Sequence, residues 1–253
     1  DLSMVPNDYE FSDLLIQLVK EKQIPESRIN ESVKRILTLK FELGLFENST
    51  AIIKDYPDFG SEKFQKISYE AASESITLLK NTNNILPLSK NKSVLVCGPS
   101  ANSLNILNGA WTHTWQGIDT NFNTKNKATI LKSIINKIGQ SKVTYFEGVT
   151  LDAEINIQQA VAAAKNKDVI VVCLGELPCT EKPGDIEDLT LPIAQLNLVK
   201  ALAKTGKPII LVLVENRPRI INEIESLAQS ILMSYLPGDE GGKAISDILF
   251  GDV

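Results

Sequence analysis

The sequence contains little that would mark a membrane, disulfide-stabilised or nucleic-acid-binding protein. Its 253 residues include three cysteines and one histidine, which are too few for a disulfide scaffold and lack the spacing of a zinc site. No apolar run approaches the ~20 residues of a membrane-spanning helix. The net charge is −5, and no local cluster of Lys and Arg offers a surface for DNA or RNA. We therefore expect no membrane span, no nucleic-acid partner and no metal site.

Two helices are predicted at the start of the chain, over residues 11–21 and 29–44, because apolar residues recur there every three or four positions. Two helices without a strand cannot bury their apolar faces alone, so we expect them to pack on a part of the protein outside this chain. The chain begins at Asp1 without an initiator methionine or signal peptide and stops at Val253 directly after a helical pattern. We therefore expect a piece of a longer protein, with any targeting segment elsewhere.

The next segment reads as a linker. Residues 47–58 contain Asn48, Ser49, Thr50 and Pro57, with Gly60 nearby, which is typical of a connection. An amphipathic helix is predicted over residues 62–80, followed by a polar break at 81–84. The apolar residues 85–88 include Pro87 and are predicted as a packed strap rather than a strand.

From residue 93 onward, short apolar runs alternate with helical patterns. Continuous β-branched runs separated by helices indicate a mainly parallel sheet flanked by helices, which is an α/β fold. Ligands in such sheets bind beyond the carboxyl ends of the strands, which directs attention to the loops after Cys97, Leu174, Val214 and Tyr235. The predicted strands cover residues 94–97, 143–146, 169–174, 208–214 and 230–235, and the predicted helices cover 129–138, 153–164, 193–203 and 242–249.

The loop over residues 175–185 is the most unusual one. Its sequence GELPCTEKPGD places three acids, Glu176, Glu181 and Asp185, directly after a buried strand, together with two prolines. A carboxylate on a proline-stiffened loop suits general acid catalysis, because proton transfer requires a fixed position. The alternative is an ordinary solvated acidic loop.

Both tryptophans of the chain lie four residues apart in the glycine-flanked stretch 109–117. Trp111 and Trp115 there could present flat faces to a sugar ring, or they could simply anchor the loop in the core. His113 lies between them, but no GxSxG elbow supplies a nucleophile for it. The loop over residues 98–103 contains neither GxGxxG nor GxxxxGK[ST], so we predict no nucleotide cofactor.

Six short motifs follow one another along nearly the whole chain. They are DLSMVP (1–6), RIN with VKRIL and KFELGLF (28–46), SITLLKN with LPL (75–88), WTHTWQG (111–117), GELPCTEKPGD (175–185) and LPGDEGG (236–242). In this order they resemble the family 3 glycoside hydrolases, in the branch of the plant β-glucan exohydrolases and lysosomal-type β-glucosidases. The resemblance implies a (β/α)8 barrel followed by an α/β sandwich, with the active site between them.

On that resemblance, we expect residues 1–50 to be the terminal helices of the barrel and residues 51–90 a linker with one helix. Residues 91–253 are expected to be the α/β sandwich, truncated at its C-terminal end. The remainder of the barrel is absent. The partners implied are a β-glucoside or β-glucan oligosaccharide and the N-terminal barrel domain of the same protein. The family's nucleophile is an aspartate in an S-D-W-type motif, which does not occur here, so we expect no hydrolysis by this chain alone.

The family's retaining chemistry needs a nucleophile and an acid/base ~5–5.5 Å apart. By motif, Glu181 falls on the acid/base position, Glu176 and Asp185 support the loop, and Trp111 and Trp115 line the sugar site; no cofactor is implied.

Alternatives and departures accompany the resemblance. A non-catalytic α/β module that binds a glycan through its tryptophans is the rival function, and a flavodoxin-like nucleotide-binding domain is a second one. Cys179 replaces the tyrosine usual in this branch, Asn216 replaces a glycine, and Cys173 could bridge to Cys179 if the loop folds back. The enzymes that this chain resembles are mostly exported, and sequons at Asn30, Asn48 and Asn91 are compatible with secretion.

Overall fold

The computed structural model describes residues 1–7 and 9–253, which form two compact units, Asp1–Phe59 and Gly60–Val253. The first unit contains helix α1 (Glu10–Lys20) and helix α2 (Glu26–Glu42). None of the described side chains of either helix is buried, and Leu14 and Leu39 are about half exposed. Both helices are present as predicted, and several of their apolar side chains are exposed.

The second unit is built on one six-stranded sheet. Its strands are β1 (Thr77–Asn81), β2 (Val94–Cys97), β3 (Val143–Phe146), β4 (Val169–Gly175), β5 (Ile209–Val214) and β6 (Ser230–Met233). They are arranged in the order β1-β6-β5-β4-β2-β3. Strand β1 pairs antiparallel with β6, and every other neighbouring pair is parallel. The predicted α/β fold with a mainly parallel sheet is confirmed.

Helices cover both faces of this sheet. They are α3 (Glu62–Ser75), α4 (Ile130–Ile138), α5 (Ile157–Ala164), α6 (Ile193–Ala203), α7 (Asn222–Glu225) and α8 (Gly241–Phe250). Alternate strand residues enter two separate cores: Val171 packs with α4 and α8, and Ile170 packs with α5 and α6. Burial on both faces explains why the central strands read as continuous apolar runs.

Hydrogen bonds and ion pairs join three helices on one face of the sheet. Asp247 of α8, 4% exposed, accepts hydrogen bonds from Tyr69 of α3 (2.6 Å), from Lys243 (2.7 Å) and from Lys137 of α4. Burial alone would raise the pKa of Asp247, but these three hydrogen bonds outweigh it and lower that pKa to about 2. The ionised carboxylate of Asp247 therefore links α3, α4 and α8.

The segment predicted as one helix over residues 62–80 differs from the prediction. Helix α3 ends at Ser75, and Thr77–Asn81 forms strand β1 along the edge of β6. The prediction was wrong because Ile76, Leu78 and Leu79 are compatible with the period of a helix and with that of a strand. The segment is a strand because it pairs with β6, some 150 residues further along the chain. The strand lies in the predicted linker, and the second compact unit begins at Gly60. The domain boundaries at 50 and 90 stay predictions.

The carboxyl ends of β2, β4 and β5 lie side by side in the sheet, so the loops that follow them share one edge. Gly175 closes β4 at this edge, and a Cβ there would lie 2.0 Å from the carbonyl oxygen of Val214. Only glycine allows the loop to leave β4 so close to β5. Among the described helices, none is both long and apolar enough to cross a membrane.

Candidate active site

Glu176 begins the loop after β4 and is held by the segment after β5. Its Oε1 accepts hydrogen bonds from the backbone N–H of Asn216 (3.1 Å) and from Nε of Arg217 (3.4 Å). Its Oε2 accepts one from Nη1 of Arg219 at 2.5 Å. Only 12% of the Glu176 side chain is exposed. Glu176 is therefore a fully paired carboxylate, with two guanidinium groups against it.

Further contacts run along the rest of the same loop. Asn216 donates from Nδ2 to the carbonyl oxygen of Leu177 (3.0 Å) and to Sγ of Cys179 (2.9 Å). Arg217 donates from Nη1 to the carbonyl oxygen of Gly184 (2.7 Å) and from Nη2 to Sγ of Cys179 (2.8 Å). The loop 176–185 is thus fastened to residues 216–219 at its start, middle and end.

The bridge between Cys173 and Cys179 does not form. All three cysteines are free in the described chain, because Cys173 lies inside β4 with its side chain in the core. Burial raises the pKa of the Cys173 thiol and raises that of Cys97 to about 12. Those two are inert core residues, and only Cys179 is partly accessible.

Glu181 lies at the outer bend of this fastened loop. Its backbone has φ +57° and ψ −156°, a conformation that costs energy for a residue other than glycine. Its carbonyl oxygen accepts the N–H of Gly184 at 2.8 Å, which closes a short turn. Its side chain is exposed, and the carboxylate makes no hydrogen bond to any residue that the structure describes. Glu181 is therefore unpaired, in contrast to Glu176 at the start of the loop.

The tryptophan stretch forms a tight exposed turn between β2 and α4. Trp111 adopts φ +62°, and its N–H donates to the carbonyl oxygen of Trp115 at 2.9 Å. Trp111 and Trp115 are 67% and 45% exposed, so the alternative that they anchor the loop in the core is wrong. His113 is exposed and stacks on Phe122 at 6.1 Å between ring centroids.

Gln116 joins the tryptophan turn to the acidic loop. Its Nε2 donates to the carbonyl oxygen of Thr180 (3.2 Å), and the N–H of Thr180 donates to its Oε1 (3.1 Å). Thr180 directly precedes Glu181, so one amide side chain fixes the two predicted site segments to each other. Gln116 was not predicted as a site residue, although it follows Trp115 in the motif WTHTWQG.

Comparison with known proteins decides the family. The model described as the glycosyl hydrolase family 3 C-terminal domain matches residues 76–253. The chain belongs to glycosyl hydrolase family 3. Its matched part covers every residue of the site described above.

Relatives of this family 3 chain include beta-glucosidases, and also a beta-xylosidase of Formosa agariphila that is 35% identical over 89% of this chain and 32% of that protein. The chain is 44% identical to the lysosomal beta glucosidase of Dictyostelium discoideum over all of this chain and 32% of that protein. It is 30% identical to the periplasmic beta-glucosidase of Salmonella typhimurium, over all of this chain and 36% of that protein. The solved structure of a mutant beta-glucosidase from Listeria innocua in complex with laminaribiose matches 94% of this chain and 32% of its own, with TM-score 0.81 and 28% identity. The chain thus spans about a third of the length of these relatives.

Glu215 is a site residue of this family 3 chain that the sequence analysis missed. It directly follows β5 and is fully buried, and its Oε2 accepts the N–H of Arg219 at 3.1 Å. Burial raises the pKa of Glu215 to about 7; the charge of Glu176 acts in the same direction, and the Arg219 N–H opposes it. The sequence pattern that could have identified Glu215 is an acidic residue directly after the six apolar residues of β5.

Asp185 makes no contact that would support its predicted role. Its side chain is exposed, and only its backbone N–H is bonded, to the carbonyl oxygen of Lys182 at 3.1 Å. The loop-supporting role of Asp185 stays a prediction without a contact behind it in the described residues. Those residues also contain no cluster of three or more His, Cys, Asp or Glu that could hold a metal ion.

Proposed function

We propose that this chain is the α/β part of a retaining β-glucosidase or exo-β-glucanase that removes terminal non-reducing β-D-glucosyl residues. Glu181 supplies the acid/base, Trp111 and Trp115 supply the sugar platform, and the nucleophile comes from the barrel domain of the complete protein. The observation that carries this proposal is the unpaired carboxylate of Glu181 on a fastened loop, fixed beside the tryptophan turn through Gln116.

The two glutamates of the loop differ in the way that the chemistry requires. Glu176 is nearly buried and already accepts hydrogen bonds from Arg217 and Arg219, so protonating it would break charged pairs. Glu181 has no such partner, and its side chain is exposed. This supports Glu181 rather than Glu176 as the group that exchanges protons with substrate.

The reaction then uses Glu181 twice. As an acid, it protonates the glycosidic oxygen while the nucleophile from the barrel attacks the anomeric carbon. As a base, it takes a proton from the water that hydrolyses the covalent glycosyl-enzyme. The fastening of residues 176–185 keeps the carboxylate in place during both steps, because proton transfer is effective only within hydrogen-bond reach.

The exposed tryptophans supply the apolar part of sugar binding. The C–H faces of a pyranose ring pack well on an indole face, which contributes area and orientation. Both rings lie on the turn that Gln116 fixes to Thr180, so the platform and the acid move as one piece. The names of the relatives, lysosomal and periplasmic, support export of the complete protein.

The test uses the full-length protein carrying Glu181→Gln, assayed on dinitrophenyl and nitrophenyl β-glucosides with and without azide, with a nitrophenyl β-xyloside for comparison. We expect the variant to retain turnover of the activated dinitrophenyl substrate, to lose the nitrophenyl substrate, and to yield β-glucosyl azide. Glu187→Gln, at an exposed glutamate outside the loop, is the matched control and retains both activities. Equal losses on both glucosides without azide rescue would refute the assignment of Glu181.

The exposure of both tryptophans also favours a second candidate, a glycan-binding module without catalysis. That function predicts an affinity for β-glucan oligosaccharides that survives Glu181→Gln and is lost in Trp111→Ala. Calorimetric titration of laminaribiose and cellobiose into the full-length variants measures this affinity. Turnover of either sugar by the wild-type protein would exclude a purely binding role.

A further inference from the structure

The carboxyl group of Glu215 is buried without a full set of partners. Its side chain is 0% exposed, and Oε2 accepts the backbone N–H of Arg219 at 3.1 Å. Its Oε1 is shut off from solvent and has no hydrogen-bond partner among the residues that the structure describes. An ionised carboxylate with one bare oxygen in such a place is costly, whereas a neutral acid is much less so.

The cation nearest to Glu215 is already committed to other acceptors. The guanidinium of Arg219 donates to Oε2 of Glu176 (2.5 Å) and to the carbonyl oxygens of Leu189 (2.9 Å) and Thr190 (2.6 Å). These bonds use three of its five N–H donors and hold the guanidinium in place, so moving it toward an ionised Glu215 strains them. Arg219 and Glu176 are the charged groups that act on Glu215. The segment after β6 contributes the carbonyl oxygen of Tyr235, which accepts the Glu215 N–H at 3.2 Å.

We propose that Glu215 is a positioning residue: as a neutral carboxylic acid it keeps Arg219 on Glu176, and so fixes the loop that carries Glu181. When Glu215 loses its proton to solvent, the new buried charge draws the Arg219 guanidinium away from Glu176 and loosens residues 176–185. This inference deepens the proposed function and rests on Glu181 being the acid/base.

The path of contacts is short and continuous. Glu215 holds the backbone of Arg219, and the Arg219 side chain holds Glu176 at the start of the loop. Asn216 and Arg217, which lie between Glu215 and Arg219 in the chain, hold the middle and end of the loop. A disturbance of residues 215–219 therefore reaches every contact that this segment makes with the loop. The burial that raises the pKa of Glu215 to about 7 places this change near neutral pH.

The first experiment compares kcat/KM of full-length wild type and Glu215→Gln on nitrophenyl β-glucoside between pH 5 and 8.5. Glutamine keeps the shape and the acceptor for the Arg219 N–H but cannot ionise. We expect the ratio of variant to wild type, normalised at pH 5.5, to rise about tenfold by pH 8, because only wild type carries the ionisation near pH 7. Glu215→Met, also neutral, shows the same rise and covers the case that glutamine folds poorly. Glu187→Gln, the exposed control, gives a flat ratio.

The second measurement does not depend on activity. Amide hydrogen exchange of residues 177–184, corrected for intrinsic rates, is followed at pH 6 and pH 8. We expect protection to fall at pH 8 in wild type but not in Glu215→Gln. Equal pH responses in the two proteins, or a flat activity ratio, would overturn the positioning role. A pH-dependent loop together with a Glu181→Gln variant that fails the azide test would instead refute the proposed function and leave the Glu215–loop coupling standing.

Discussion

The double hydrogen bond between Gln116 and Thr180 offers the sharpest test of the site. Gln116→Ala removes both bonds and leaves the N–H and carbonyl of Thr180 unpaired in a partly buried position. Each such bond contributes about 1 kcal/mol, so the variant loses about 2 kcal/mol of the free energy that holds Glu181 in position. Expressed wholly in the transition state, this corresponds to a fall of about 30-fold in kcat/KM.

The substrate dependence of that fall distinguishes positioning from general damage. A nitrophenyl β-glucoside needs protonation of its leaving group, so the full-length Gln116→Ala enzyme shows the whole loss. A dinitrophenyl β-glucoside leaves without a proton, so its bond-breaking step is affected much less. Gln116→Glu keeps an acceptor for the Thr180 N–H but sets a carboxylate against the Thr180 carbonyl, and it loses at least as much as alanine.

Asn197→Ala is the matched control for Gln116→Ala. Asn197 lies in α6, and the substitution removes its exposed side-chain hydrogen bond to Glu154 (2.7 Å). We expect a change of less than about twofold on either substrate. The reasoning fails if Gln116→Ala stays within twofold of wild type on the nitrophenyl substrate, or if both substrates lose activity equally.

Two further predictions concern stability and reactivity. Since the pKa of Asp247 is lowered to about 2 in the folded state from about 3.9 unfolded, its stabilisation of about 2 kcal/mol is complete above pH 4 and lost as the pH falls toward 2. Urea unfolding of Asp247→Asn at several pH values therefore shows a flatter acid slope than wild type, and parallel slopes would contradict the assignment. Iodoacetamide at pH 8 labels Cys179 in the native protein and spares Cys97 and Cys173, whose burial raises both thiol pKa values. Peptide mapping that finds either core thiol labelled before urea is added would show that the core is more open than described.

Much of the fold could be predicted because it follows from local patterns. The run Val169–Gly175 is apolar throughout and could only be a strand buried on both faces. All five predicted strands are present, with ends that differ by no more than two residues. The family motifs carried the site further, since they singled out Glu181 and the tryptophans before any geometry was available. Strand β1 escaped because an edge strand takes its identity from its partner β6, which a local period does not reveal.

The sequence by itself determined the parallel sheet, the loop that carries Glu181 and the turn that carries Trp111 and Trp115. Only the tertiary structure decided which of the loop's acids is paired and which is left free. That decision depends on Arg219 reaching Glu176 across 43 residues and Gln116 reaching Thr180 across 64. Such contacts form between residues that only folding brings together. In the same way, the burial of Glu215 in the folded chain determines whether its carboxyl group is charged. Local sequence patterns cannot encode either, because hydrogen-bond partners and desolvation are properties of the packed chain.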